Sequence, residues 1–122
     1  MAKISVFPAA KRRFKRYLGR ASAPEEGAAR IARLVGPDIS KSIGGGVVVY
    51  ERLTVDWDLP FDELIVILEG AMRIHSRGKT YDCGPGDVAW FPAKTPLTYE
   101  VPKRVVVFYA LHPVGATAPN AG

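Results

Sequence analysis

Residues 56–70 read DWDLPFDELIVILEG, and their phase decides the fold. Asp56, Asp58, Asp62 and Glu63 fall within eight residues, interleaved with Trp57, Leu59, Pro60 and Phe61, before an apolar run ending at Glu69-Gly70. Strict alternation is the period of a strand, whose successive side chains point to opposite faces. Residues 63, 65 and 67 therefore share one face, which places Glu63 in line with Ile65 and Ile67. Asp62 faces the other way, while Asp56 and Asp58 share a face with each other.

Outward from this stretch the chain keeps a β character. From Ile43 on, β-branched and apolar runs alternate with turn signals, predicting strands near 46–55, 63–69, 71–76, 79–82, 87–91, 97–101 and 104–111. Between them lie Glu69-Gly70, Arg77-Gly78, CGPGD, PAKTP and VPK. SRGK, with glycine at its second central position, suits a tight hairpin, and PGD supplies another reversal. So many short strands with short connections predict an all-β jelly roll over residues 43–114.

Residues 1–42 read differently. AAKRRFKRYLGR after Pro8 predicts a short helix. SAPEEGAARIARLVG predicts a second, with Ser22-Pro24 at its start, Glu25 and Glu26 in its first turn and Gly36-Pro37 at its stop. Together they form a basic N-terminal arm. The final residues, 115–122, are expected to be disordered.

The composition bounds the function. A chain of 122 residues is one domain, and 48% hydrophobic with 24% charged residues is a globular mix. The net charge of +5 belongs to the arm: residues 1–20 hold seven of the 17 basic residues and no acid. Ten basic and twelve acidic residues follow, so nucleic acid is not an expected partner. The arm is read as a solvated or partner-packed segment, with a phosphate or membrane-surface contact as the sharper alternative. No run approaches the length of a membrane span, and the lone Cys83 suits a reducing cytoplasm. Cys83 is read as a structural thiol.

The spacing resembles the cupins. Their first motif ends in Glu and, seven residues on, Gly, matched by Glu63 and Gly70. Their second runs from Gly over five residues to Pro, matched by Gly86 and Pro92. The His-x-His positions instead hold Asp56 and Asp58, or Trp57 and Leu59, and the second-motif His position holds Leu97. Only His75 and His112 occur in the chain, both outside the motifs, so no metal and no cofactor is expected. Within the cupins the chain resembles the EutQ-like (ethanolamine-utilisation Q-type) proteins through Trp57, Leu59, Phe61-Asp62-Glu63, Leu68-Glu69-Gly70 and PGDVAWFP. That resemblance implies a role in ethanolamine or acetate metabolism, including an acetate-kinase-like activity. Where relatives often carry another acid two residues after the motif Glu, this chain has Ile65.

The cupin arrangement turns the face of Glu63 into the barrel, where burial would raise its pKa and suit it to general acid or base work. Asp56 and Asp58 are expected to converge on it as assisting groups. Three outcomes stay open for the acids: a hard cation on their oxygens, an amine or polyol in an aromatic cage, or plain solvation and ion pairing. Asp62, Trp57, Tyr81, Trp90 and Tyr99 are the candidate ligand-binding residues. SIGGGVV lacks the Lys-Ser/Thr and helix of a phosphate loop and reads as a strand entry. The expectation is thus a cupin that binds a small polar metabolite, with Glu63 as proton-transfer group if it catalyses. A non-catalytic sensing or accessory module docking through the arm is the alternative. A homodimer is expected to cover the strand edges, with the arm crossing to the partner.

Overall fold

The computed structural model describes residues 3–17 and 29–115. Its strands are β1 (Lys15–Arg16), β2 (Ala29–Val35), β3 (Gly44–Asp58), β4 (Asp62–Gly70), β5 (Met72–Ser76), β6 (Lys79–Cys83), β7 (Val88–Phe91) and β8 (Pro96–His112). The ladders between neighbours are antiparallel.

Two long strands make the jelly roll. β3 and β8 pair from Gly44↔Leu111 to Asp58↔Pro96, with a register shift between Glu51 and Leu53. Arg52 sits at that shift with φ 47°, so both strands turn a corner there. One half of the pair builds a layer in the order β1-β2-β3-β8-β4-β7; the other half carries β5 on β8 and β6 on β5. The VPK segment expected as a turn is this corner, and β8 continues through it. Pro102 has no N–H to donate, and its place in the shifted stretch leaves no ladder bond unmade.

The core lies between the two layers. Val48, Tyr50, Ile65, Ile67 and Val107 from one layer meet Val55, Met72, Ile74, Leu97 and Val101 from the other. The alternation read in residues 63–67 holds: Glu63, Ile65 and Ile67 are buried, whereas Leu64 and Leu68 are exposed. Each fully buried Ile contributes roughly 1.5–3 kcal/mol. The β5–β6 hairpin turns through Arg77 and Gly78, both at positive φ, the mirror-image turn that matches strand twist. Gly70, at φ 76°, closes on β8 so tightly that a Cβ would collide with the Arg104 carbonyl.

The arm departs from the expected helices. Its first helix is only a 3-10 turn at Ala9–Lys11, after which Lys15–Arg16 extend and pair with β2. Lys11 and Lys15, and Arg12 and Arg16, would be like charges four apart on a helix, which disfavours that form. Of the second expected helix, Ala29–Val35 is strand β2, paired with β3 from Ala29↔Tyr50 to Val35↔Gly45. Burial of Ala29 and Ile31 against the sheet outweighs weak helical propensity. Its expected start, residues 22–28, lies outside the described residues, as do 116–122 of the expected disordered tail. The sheet thus begins within the segment read as arm. Among the described residues no helix is long and apolar enough to cross a membrane.

Candidate functional site

Between the layers a cavity of about 200 Å³ opens, bounded by side chains of β2, β3, β4 and β8 and by Tyr17. Glu63 enters it from the first inward position of β4, paired with Phe91 of β7 and Leu111 of β8. It is the one buried charged side chain among the described residues, 9% exposed. Burial pushes its carboxyl up to about 8, so at neutral pH it is mostly a protonated acid.

Around it stand four phenols, Tyr17, Tyr50, Tyr99 and Tyr109, all lining the cavity. Burial raises each of their pKa values first, and the negative charge Glu63 can carry adds to it. Their hydroxyls are therefore neutral donors and acceptors across the physiological range. Trp57 lines the same space, 5% exposed, and its buried indole Nε1 has no hydrogen-bond partner. Its ring stacks on Tyr17 at 6.0 Å and meets Tyr99 edge-on at 6.3 Å. Arg33 of β2, which also lines the cavity, lays its guanidinium over the Tyr17 ring, with Cζ 5.7 Å from the ring centroid.

The other expected acids do not join Glu63. Asp56 and Asp58 flank Trp57 on β3 and, by the same alternation that sends Trp57 inward, face out and are exposed. Asp56 accepts a 2.6 Å hydrogen bond from the Thr98 hydroxyl on that outer face. Asp62 accepts the Ala93 N–H at 2.8 Å, fixing the connection from β7 to β8 where Lys94 adopts φ 69°. The expected convergence on Glu63 is thus replaced by one buried acid and three peripheral ones.

The aromatic candidates divide as well. Trp57 and Tyr99 line the cavity, whereas Tyr81 and Trp90 are 50% and 58% exposed on a separate open cleft beside β6 and β7. Tyr50, Tyr109, Tyr17 and Arg33 are cavity residues that sequence reasoning missed. Tyr50 and Tyr109 follow the inward phase of Val48 and Val107, a signal present in the sequence. Tyr17 and Arg33 fell in segments read as helices, where strand phase gives no signal.

The cupin metal positions do not fit a metal here. Trp57, Leu59 and Leu97 are buried apolar groups, and Asp56 and Asp58 face outward. Among the described residues no three His, Cys, Asp or Glu side chains come together. His75 is tied on the surface between Thr80 and Glu100, with Nε2 2.7 Å from Glu100 Oε1. The three glycines of SIGGGVV are strand residues of β3, and a Cβ at Gly46 would collide with the Ala32 carbonyl. They serve close packing against β2.

An antiparallel jelly roll with its inner face opening on a polar-centred cavity is the architecture of a cupin, and an RmlC-like cupin from Shewanella frigidimarina superposes with a TM-score of 0.69. That likeness is 8% identical and covers 93% of this chain and 94% of the other, so it speaks for the fold alone. The chain belongs to the ethanolamine utilisation protein EutQ family, whose profile matches residues 12–117. The acetate kinase EutQ of Escherichia coli is 26% identical over 95 residues, covering 78% of this chain but 41% of that protein. The chain therefore spans less than half the length of that curated relative. The crystal structure of an ethanolamine utilization protein Q from Salmonella typhimurium is 23% identical, with a TM-score of 0.82 over 92% of this chain and 88% of that one.

Proposed function

We propose that this chain binds a small polar metabolite in the cavity between its sheets and that Glu63 is the group that moves a proton there. The observation that carries the reading is a buried carboxyl in the cavity between the layers, with a pKa of about 8. An acid of that pKa gives and takes protons near neutrality, the range in which a general acid or base is most effective. A cavity of about 200 Å³ is smaller than the roughly 300–1,000 Å³ of drug-sized pockets, which fits a metabolite of a few heavy atoms. Membership of the ethanolamine-utilisation family supports a substrate from small-metabolite chemistry. Phosphoryl transfer, the activity in the name of the E. coli relative, is not carried over: the glycine-rich stretch is committed to strand packing.

Conversion of a panel of two- to four-carbon amino alcohols, aldehydes, alcohols and acids, followed by proton NMR, tests this. Glu63→Gln should abolish turnover while leaving affinity near that of the native chain. Turnover unchanged in Glu63→Gln contradicts the proton-transfer role. Binding without turnover in both proteins supports the accessory-module reading.

The expected homodimer belongs to the same reading. Ile4 and Val6 in the arm are 90% and 78% exposed, and Val88 and Trp90 on the edge strand β7 are 61% and 58% exposed. A second copy is the cover these surfaces favour.

A further inference from the structure

Trp57 and Glu63 line the same cavity, and the buried Trp57 indole N–H has no hydrogen-bond partner among the described residues. Both side chains are more than nine-tenths buried. An unpaired buried donor costs roughly 1–3 kcal/mol, so the indole N–H beside the Glu63 carboxyl is a standing demand for a ligand atom.

The chemistry of each group narrows that atom. An indole N–H donates and never accepts, so the ligand must bring an acceptor to Trp57. Glu63, in its protonated form, offers an O–H as well. Two such donors suit an oxygen with two free lone pairs. An anion would have to enter beside the Glu63 carboxyl, and the one guanidinium bordering the cavity among the described residues, that of the exposed Arg33, is engaged over the Tyr17 ring, so propionate is the competing titrant. A cation would find π faces and a carboxylate, but would leave the indole N–H unpaired.

We infer that the cavity takes a small uncharged carbonyl compound, whose oxygen accepts from Trp57 Nε1–H and from the Glu63 carboxyl while the tyrosine rings enclose its carbon skeleton. This rests on the cavity being a binding site, as proposed above, and adds the class of ligand. Tyr17, stacked on Trp57, would fix the indole plane and with it the direction of the donor. The Glu63 O–H then donates to the ligand oxygen and polarises the carbonyl, the proton staying on the carboxyl.

The test follows the Trp57 indole N–H by proton–nitrogen NMR, with the exposed Trp90 replaced (Trp90→Phe) to identify the signal. The titrants are acetone, propionamide, 1-propanol, propionate and propylammonium. Acetone or propionamide should shift the Trp57 resonance downfield and saturably at about pH 6. Affinity should fall by at least about tenfold at about pH 9, where Glu63 has lost its proton. The Trp57→Phe variant should lose binding, and the pH series on the otherwise native chain decides the matter should that variant not fold. Tighter binding of propionate, propylammonium or 1-propanol overturns the carbonyl assignment and leaves the binding-site reading standing. No response to any titrant overturns both.

Discussion

Tyr17 and Trp57 stack with ring centroids 6.0 Å apart and planes inclined by 26°, joining the N-terminal segment to the wall of the cavity. Tyr17 is anchored there by its own N–H, which donates to the Ala29 carbonyl at 2.9 Å. The arm is therefore part of the site. Replacing Tyr17 by Ala should expose Trp57, red-shift its fluorescence and cost about 2–4 kcal/mol in chemical denaturation. Unchanged Trp57 emission in a Trp90→Phe background would show that Tyr17 does not cover the cavity.

Trp57→Phe should keep the stack and remove the orphaned donor. Losing a buried N–H that has no partner is neutral or stabilising, by up to about 1–2 kcal/mol, although the ring shrinks. A thermal melt should show a transition no more than a few degrees lower than that of the native chain. A large loss of stability would mean that the indole N–H has a partner in the folded protein.

Glu63 makes stability depend on pH with a definite sign. Its folded pKa of about 8 stands above the ordinary 4.5, so the folded chain holds a proton that the unfolded chain releases. Stability contributed by that proton is complete below about pH 4.5 and is lost as pH rises to about 8. Glu63→Gln removes this dependence. Relative to the native chain it should gain on the order of a few kcal/mol between those limits and stay level above them. Parallel denaturation curves at several pH values check this, and a difference that does not grow across the window contradicts it.

Gly70→Ala tests the corner that follows β4. The φ of 76° and the approach of the Arg104 carbonyl leave no room for a methyl group. A loss of about 1–3 kcal/mol or more is expected in denaturant unfolding. A neutral substitution would place the β4–β8 contact differently.

Light scattering of the purified chain should give twice the mass of one chain, and Trp90→Lys together with Val88→Lys should shift it toward the monomer. Monomers at all concentrations would remove the homodimer from the account.

Strand phase made most of this molecule legible. Glu63, Ile65 and Ile67 alternate inward against Leu64 and Leu68 outward, and the same phase carries Trp57 in and Asp56 and Asp58 out. Asp56 and Asp58 share a face two residues apart, and that alone suggests convergence on Glu63. Facing follows the strand, however, and the shared face is the outer one. What stayed hidden was what only tertiary pairing decides. Ala29–Val35 has the composition of either a helix or a strand, and its place beside β3 selects the strand. Tyr17 and Arg33 reach the site through that pairing, so no local pattern marks them.

The account turns on one titration. The carboxyl carbon of Glu63, assigned by its loss in Glu63→Gln and followed by carbon NMR from acid to alkaline pH, should titrate near 8. A midpoint near the ordinary 4.5 would mean that water or a cation reaches the carboxylate, and would contradict a buried acid at the centre of the cavity.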